Sequence, residues 1–137
     1  MKKNTALIHH PYKPPQGFAS PAVPIYKGST VFFDNVAAMR SRTWLDRSAY
    51  TYGLHGTPTS FTLEERIATL EGGKHTMLVS SGLAAVTMVD IALLKSGDQV
   101  LLPHNVYAPN KNFTRTELAA WGIDHAVYDA MNVASLA

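Results

Sequence analysis

Ser80, Ser81, Gly82 and Leu83 form the junction best suited to placing chemistry on this chain. An apolar run, LVSSGLAAV over residues 78–86, breaks at the small residues and restarts rich in alanine. A strand opening through small residues onto a helix start leaves first-turn N–H groups unpaired and pointing outward, which makes a seat for an anion. The N–H groups of Gly82 and Leu83 could hold a single phosphate, with the Ser81 hydroxyl beside them. The same residues also read as a serine cap and a permissive glycine turn, and local sequence leaves both readings open. The spacing is neither GxGxxG nor GxxxxGK[ST], so it indicates neither a dinucleotide fold nor a nucleoside-triphosphate loop.

Two tyrosines join the candidate site. Tyr107, within PHNVYAPN, follows a second apolar strand, and loops at the carboxyl ends of parallel strands are where open α/β sheets place ligands. It could stack on a planar ring, use its hydroxyl, or simply pack under its loop; Asn105 is a weaker polar candidate that also suits a turn. Tyr52 opens the loop YGLHGTPTSF and offers a phenolic donor to an anion, although a tyrosine beside a loop also packs against it. His55 in the same loop is a possible cation. Lys74, Lys95 and Lys111 fall in turns or on helix flanks and read as solvated, without the apolar surround of a Schiff-base amine. His9 and His10 lack partners at metal spacing, so no metal site is expected.

The elements that must position these residues follow from punctuation and periodicity. Prolines 11, 14, 15, 21 and 24 predict an extended arm from Met1 to about Gly28, rather than a helix, ending in the apolar Ile25, Tyr26, Val31, Phe32 and Phe33. Such an arm lies along its own domain or a neighbouring subunit. Asn35–Ser48 is a short helix candidate. Gly53, Gly56 and Pro58 mark tight turns. Thr59 or Thr62 could cap a helix running to about Leu70, with Glu64 and Glu65 in its first turn, Phe61, Ile67 and Leu70 as its apolar stripe, and Gly72–Gly73 as its end. Strands are expected over Thr76–Ser80, Gln99–Pro103 and Ile123–Tyr128, alternating with helices over Gly82–Leu94 and about Pro109–Trp121. That order predicts a layered α/β domain. The helix from Gly82 is apolar nearly all round, which calls for cover on several sides. From Asn132 to Ala137 the pattern ceases.

Composition narrows the class. The 137 residues are 46% hydrophobic but only 16% charged, below the usual quarter, which suits a piece of a larger domain. A net charge of +2 with scattered Lys and Arg gives no footprint for nucleic acid. No stretch reaches the roughly 18 apolar residues of a membrane span, and the basic opening has no apolar run behind it to make a signal peptide. Cysteine is absent, so disulfides and thiolate chemistry are excluded and a cytoplasmic enzyme is expected.

In combination and order, SPAVPIYKGSTVFFD, TYGLHGTPTSFTLEERIATLEGG, VSSGLAAV, KSGDQVLLPHNVYAPN and AAWGI resemble the N-terminal third of the pyridoxal-phosphate enzymes of cysteine and methionine metabolism, the trans-sulfuration enzymes. The resemblance is strongest to the cystathionine β-lyase branch; GTPT after the tyrosine loop separates it modestly from the γ-synthase and γ-lyase branches. It implies the N-terminal part of a fold type I, aspartate-aminotransferase-like large domain, with residues 1–50 as arm, short helix and oligomer clasp, and 51–137 as an incomplete α/β cofactor-binding domain. It implies pyridoxal 5′-phosphate as cofactor. Gly82 and Leu83 would hold the phosphate through backbone N–H groups, Tyr107 would stack on the ring, and Tyr52 would be lent to the neighbouring subunit's site. The substrate implied is a small sulfur amino acid, cystathionine, and the assembly a dimer of dimers.

Two departures stand out. Leu54 occupies a position where the family commonly has arginine, and leucine cannot supply a guanidinium's charge or bidentate geometry to a phosphate. His55 is also commonly arginine. Moreover, the family's cofactor-bearing lysine, the aspartate facing the ring nitrogen and the substrate-carboxylate arginine come later in the chain, and no lysine here matches the first. If residues 1–137 were the whole product, no lyase turnover is expected, and a non-catalytic partner of a full-length relative becomes the competing reading.

Overall fold

The computed structural model describes residues 2–8, 16, 17, 20, 22–43, 49–132 and 134. His9, His10, the prolines at 11, 14, 15 and 21, residues 44–48 of the first helix candidate, and all but residues 132 and 134 of the final stretch lie outside the described residues. The chain forms two compact units, Met1–Leu78 and Val79–Ala137.

In the first unit, the part of the expected arm over Lys3–Ile8 is not extended. Lys3–Ile8 forms helix α1, because KNTALI contains neither proline nor glycine and the helix-breaking residues begin only afterwards. Further along, the arm lies on its own unit. The Tyr26 N–H donates to Thr59 Oγ1 at 2.9 Å, and the Thr59 hydroxyl donates to the Pro24 carbonyl at 2.9 Å. Ile25 and Phe32 stay exposed. Helix α2 spans only Val36–Arg40, with Asn35 accepting from the Ala38 N–H at 2.9 Å and Ser41 as its last half-turn.

Helix α3, Pro58–Glu71, is capped by Thr57 rather than by Thr59 or Thr62. Pro58 takes the first helical position, where its missing N–H costs nothing, so the cap falls one residue earlier. Thr57 and Ser60 cap each other: the Thr57 N–H donates to Ser60 Oγ at 2.8 Å and the Ser60 N–H to Thr57 Oγ1 at 3.4 Å. Glu64 therefore lies beyond the first turn and faces inward, where its Oε1 accepts the Leu78 N–H at 2.9 Å. The buried face is Phe61, Glu64 and Ala68, while Leu70 is exposed. The helix ends at Gly72, whose φ of 72° is left-handed, as its glycine pair implies.

In the second unit, helix α4 spans Gly82–Leu93, strand β1 Gln99–Pro103, helix α5 Ala108–Phe113 and strand β2 Asp124–Tyr128. Helix α5 continues through a π-helical turn, Thr114–Leu118, before Gly122 closes it. The strands pair in parallel, with Gln99 opposite Asp124 and Pro103 opposite Tyr128. A parallel pair needs a crossover, and α5 with its π turn supplies it. Leu102, Leu118, Ile123 and Thr114 form the buried centre. Thr76–Ser80 forms no strand: none of its residues pairs in a ladder among the described residues. A strand needs a neighbour to take its N–H and C=O groups, and an apolar run alone cannot supply one. Helix α4 buries none of its residues, and Leu93 is 75% exposed. Leu83, Ala84, Val86 and Thr87 are half-buried, while Met88, Val89, Ile91 and Leu93 stand exposed, so the cover that its all-round apolar sequence calls for is only partly supplied within this unit.

Candidate functional site

Tyr52 belongs to the first unit, and Gly82, Leu83 and Tyr107 to the second. Each half is built differently. Around Tyr52 the chain turns tightly: its carbonyl accepts the His55 N–H at 2.9 Å and the Gly56 N–H at 3.2 Å. The glycines here serve close approach, since neither has positive φ. A Cβ on Gly53 would sit 1.6 Å from the Gly28 carbonyl oxygen, and one on Gly56 would sit 1.8 Å from Cε1 of Phe61. The Gly53 N–H donates to Ser29 at 2.7 Å, tying the loop to the arm. Phe61 anchors it from below, stacked on Tyr50 at 5.5 Å and meeting the His55 ring edge-on at 6.3 Å. His55 is therefore half-buried beside Phe61 rather than fully exposed in the loop. Tyr52 and Leu54 point outward, Leu54 at 83% exposure. A cleft of about 300 Å³ beside them is lined by Tyr26, Tyr50, Gly53 and Gly56, without Tyr52.

Burial raises the Tyr50 phenol above its ordinary range, with the Glu65 carboxylate and Tyr26 adding to the effect. Burial likewise raises the Asp90 carboxyl on α4.

In the second unit, Ser81 is the N-cap of α4, in extended conformation at φ −161° and ψ 164°. Its Oγ accepts the Ala84 N–H at 3.1 Å, and its carbonyl accepts the Ala85 N–H at 3.0 Å. The plain capping role is thus real, and it leaves the serine hydroxyl hydrogen free to donate elsewhere. Geometry leaves the N–H groups of Gly82 and Leu83 as first-turn donors without helical acceptors. Gly82 is exposed, and a Cβ there would meet nothing within 4 Å. The residues present fit a phosphate.

Tyr107 stands at the carboxyl end of the sheet, as the N-cap of α5, and is 62% exposed. Its carbonyl accepts the N–H groups of Asn110 and Lys111 at 3.0 and 3.2 Å. Helices α4 and α5 pack together within this unit. Asn105 lies exposed in the turn before Tyr107. Lys111, expected to be solvated, donates from Nζ to the His104 carbonyl at 2.7 Å. His104 and Asp129, absent from the sequence-based candidates, meet at 3.4 Å just past the ends of β1 and β2. The signal was available in principle: once β1 and β2 pair in parallel, residues 104 and 129 are the next register partners. Among the described residues no group of three or more His, Asp or Glu could hold a metal ion, and no helix is long and apolar enough to cross a membrane.

Parallel strands joined by a helical crossover place the second unit in the layered α/β class, whose ligands sit at the carboxyl ends of the strands. The chain belongs to the Cys/Met metabolism PLP-dependent enzyme family, whose model matches residues 4–137. It is 42% identical over 127 residues to a Rhizobium johnstonii protein provisionally named a cystathionine beta-lyase, covering 91% of this chain and 31% of that one. Its identity to Cystathionine beta-lyase MetC of Bacillus subtilis is 36% over 125 residues, covering 91% of this chain and 30% of that protein. Cystathionine gamma-synthase 1 of Nicotiana tabacum and L-methionine gamma-lyase of Treponema denticola also match, at 30% and 33% identity. A Campylobacter jejuni crystal structure, holding pyridoxyl-lysine-5′-monophosphate, superimposes with a TM-score of 0.87 at 30% identity. The superposition covers 99% of this chain and 33% of that one. The chain spans about a third of the length of the relatives it matches. The family's cofactor is pyridoxal 5′-phosphate.

Proposed function

We propose that this chain is the N-terminal part of a carbon–sulfur lyase of the cystathionine β-lyase type, cleaving cystathionine to homocysteine, pyruvate and ammonia. The observation that carries the reading is the open N-terminus of α4, where Gly82 and Leu83 present unpaired donors, set in a chain whose higher-identity relatives include named cystathionine beta-lyases. The N–H groups of Gly82 and Leu83 would hold the cofactor phosphate, aided by the helix dipole and the Ser81 hydroxyl. Tyr107 would stack on the cofactor ring. When bound, pyridoxal phosphate supplies an electron sink for the substrate carbanion. Tyr52, exposed on a rigid loop, serves a neighbouring subunit's site and can hold or pass a proton there. Residues 1–50 act as the clasp of a dimer of dimers and 51–137 as part of the cofactor domain. The absence of cysteine supports a cytoplasmic setting.

Cystathionine γ-synthase, cystathionine γ-lyase and methionine γ-lyase form a second reading, favoured by the gamma-synthase and methionine gamma-lyase relatives. The deciding experiment gives the protein cystathionine and methionine separately and identifies the keto acid released. Pyruvate from cystathionine supports the β-lyase reading; 2-oxobutyrate overturns it in favour of the γ-enzymes. For residues 1–137 alone the expected outcome is no turnover, because no lysine in them matches the cofactor-bearing one. Turnover by this polypeptide would overturn that assignment.

A further inference from the structure

His104 is the first residue past β1, and its N–H, its carbonyl and its ring Nδ1 are each engaged. Its N–H donates to the Tyr128 carbonyl at 2.8 Å, which extends the parallel ladder one residue beyond the strands. Its carbonyl accepts from Lys111 Nζ at 2.7 Å, from the first turns of α5. Its ring Nδ1 lies 3.4 Å from Asp129 Oδ1, the first residue past β2. Asp129 is itself held by the turn that follows, since the same Oδ1 accepts the Met131 N–H at 2.9 Å. Only Asn105 and Val106 separate this hub from Tyr107, and the Val106 N–H is tied back to Pro103 at 3.0 Å.

Both side chains of the His104–Asp129 pair are half exposed, and an exposed pair contributes little to stability through charge alone. Its distinctive feature is where the three ties converge. Strand β2, the loop after it and helix α5 all grip one residue at the root of the loop that carries Tyr107. A short loop clamped at its root has few backbone states left, so the aromatic at its other end is aimed in advance.

We propose that His104, held by Asp129 and Lys111, is a positioning residue that aims Tyr107 at the carboxyl edge of the sheet. The proposal rests on the reading of Tyr107 as the ring-stacking residue for its consequence, but not for the clamp itself. The clamp makes Asp129 and Lys111 part of the Tyr107 arrangement without either touching the cofactor.

The test compares the full chain with His104→Ala, Asp129→Asn and His104→Asn, following amide hydrogen exchange with and without pyridoxal phosphate. Asparagine keeps a side-chain N–H near the place of Nδ1. The expected result is exchange of the hydrogen-bonded amides within 104–107, those of His104 and Val106, rising about two- to fivefold in His104→Ala and Asp129→Asn, the scale of one lost exposed ion pair. Amides of α4 stay unchanged, and His104→Asn recovers most of the protection. Unchanged exchange at 104–107, or a rise spread evenly over α4 and the strands, overturns the proposal; the even rise would mark His104 as merely stabilising. Should His104→Ala fail to fold, Asp129→Asn, which leaves both backbone ties intact, decides the matter alone. The near-ultraviolet circular dichroism of added pyridoxal phosphate separates this clamp from the functional reading. A loosened loop in a chain that never binds the cofactor leaves the clamp standing and sinks the ring-stacking role. A bound cofactor with an unloosened loop does the reverse.

Discussion

The loop around Tyr52 and the edge around Gly82 and Tyr107 are held in place by opposite means. The first is set by steric exclusion: Gly53 and Gly56 let a carbonyl and a phenyl ring approach to distances that no other residue permits, and Phe61 fills the space beneath. The second is set by hydrogen-bond direction: a serine cap, a parallel ladder and the ties on His104 orient residues that stand largely in the open. Packing makes a rigid loop that presents Tyr52 outward. Capping makes an open donor site that a ligand can enter. The comparison teaches that close packing can fix an exposed side chain from beneath, whereas a helix cap fixes direction and still leaves first-turn donors unused.

Mutations can break this contrast, and the largest effect should fall in the packed half. Phe61→Ala removes a ring that is 8% exposed and contacts Tyr50 and His55, and should cost about 3–5 kcal/mol of stability in urea unfolding. Next comes a matched pair of glycine substitutions. Gly53→Ala forces a Cβ onto the Gly28 carbonyl and should lose about 1–3 kcal/mol, or displace the arm outright. Gly82→Ala meets nothing and should be neutral or stabilising by up to about 1 kcal/mol, measured in the same way. Equal losses at the two sites would dissolve the distinction between them.

A third substitution isolates the donor role. Gly82→Pro places proline at the first helical position, where it is favoured, and Ser81 already has the extended backbone that a following proline requires. It deletes one N–H and should weaken binding of pyridoxal phosphate about tenfold or more, the scale of a hydrogen bond to a charged group, with helix content unchanged. Undiminished binding would remove Gly82 from the phosphate site. Ser81→Ala deletes the cap to Ala84 and should cost about 1 kcal/mol.

The smallest expected effect is at high pH. Tyr50 has its pKa raised in the fold, first by burial and then by Glu65, so the folded state holds the phenolic proton more tightly than the unfolded state. The stability this contributes is fully present below the ordinary value of 10.0 and is lost as pH rises through the raised value. Alkaline titration of stability should show a shallow decline that Tyr50→Phe removes.

Particular elements mark the limits of reading the chain without its structure. The ends of α4 and β1 were legible because small residues and an apolar run punctuate them. Pro58 misled, because three nearby threonines could each cap a helix and only the position of proline in the first turn decides among them. Thr76–Ser80 misled more deeply. Its apolar run suits a buried strand, yet pairing depends on a neighbour, and none of the described strands pairs with it. Glu64 looked like a first-turn charge and is instead a buried acceptor for Leu78, since its surroundings are set by how the chain folds back. Lys111 looked solvated because nothing in its own neighbourhood announces the His104 carbonyl.

By itself the sequence determined the class, the parallel strand–helix–strand order, the open helix start at Gly82 and Leu83, and the place of Tyr107 in its loop. All of these depend on local residue types, whose conformational preferences act over a few positions. Only the tertiary structure decided that Gly53 and Gly56 are needed for contact rather than for backbone angle, and that the His55 ring meets Phe61 edge-on. It alone placed Asp129 beside His104. Those facts join residues distant along the chain, and a contact of that kind exists only once strands pair and a loop closes over its ring.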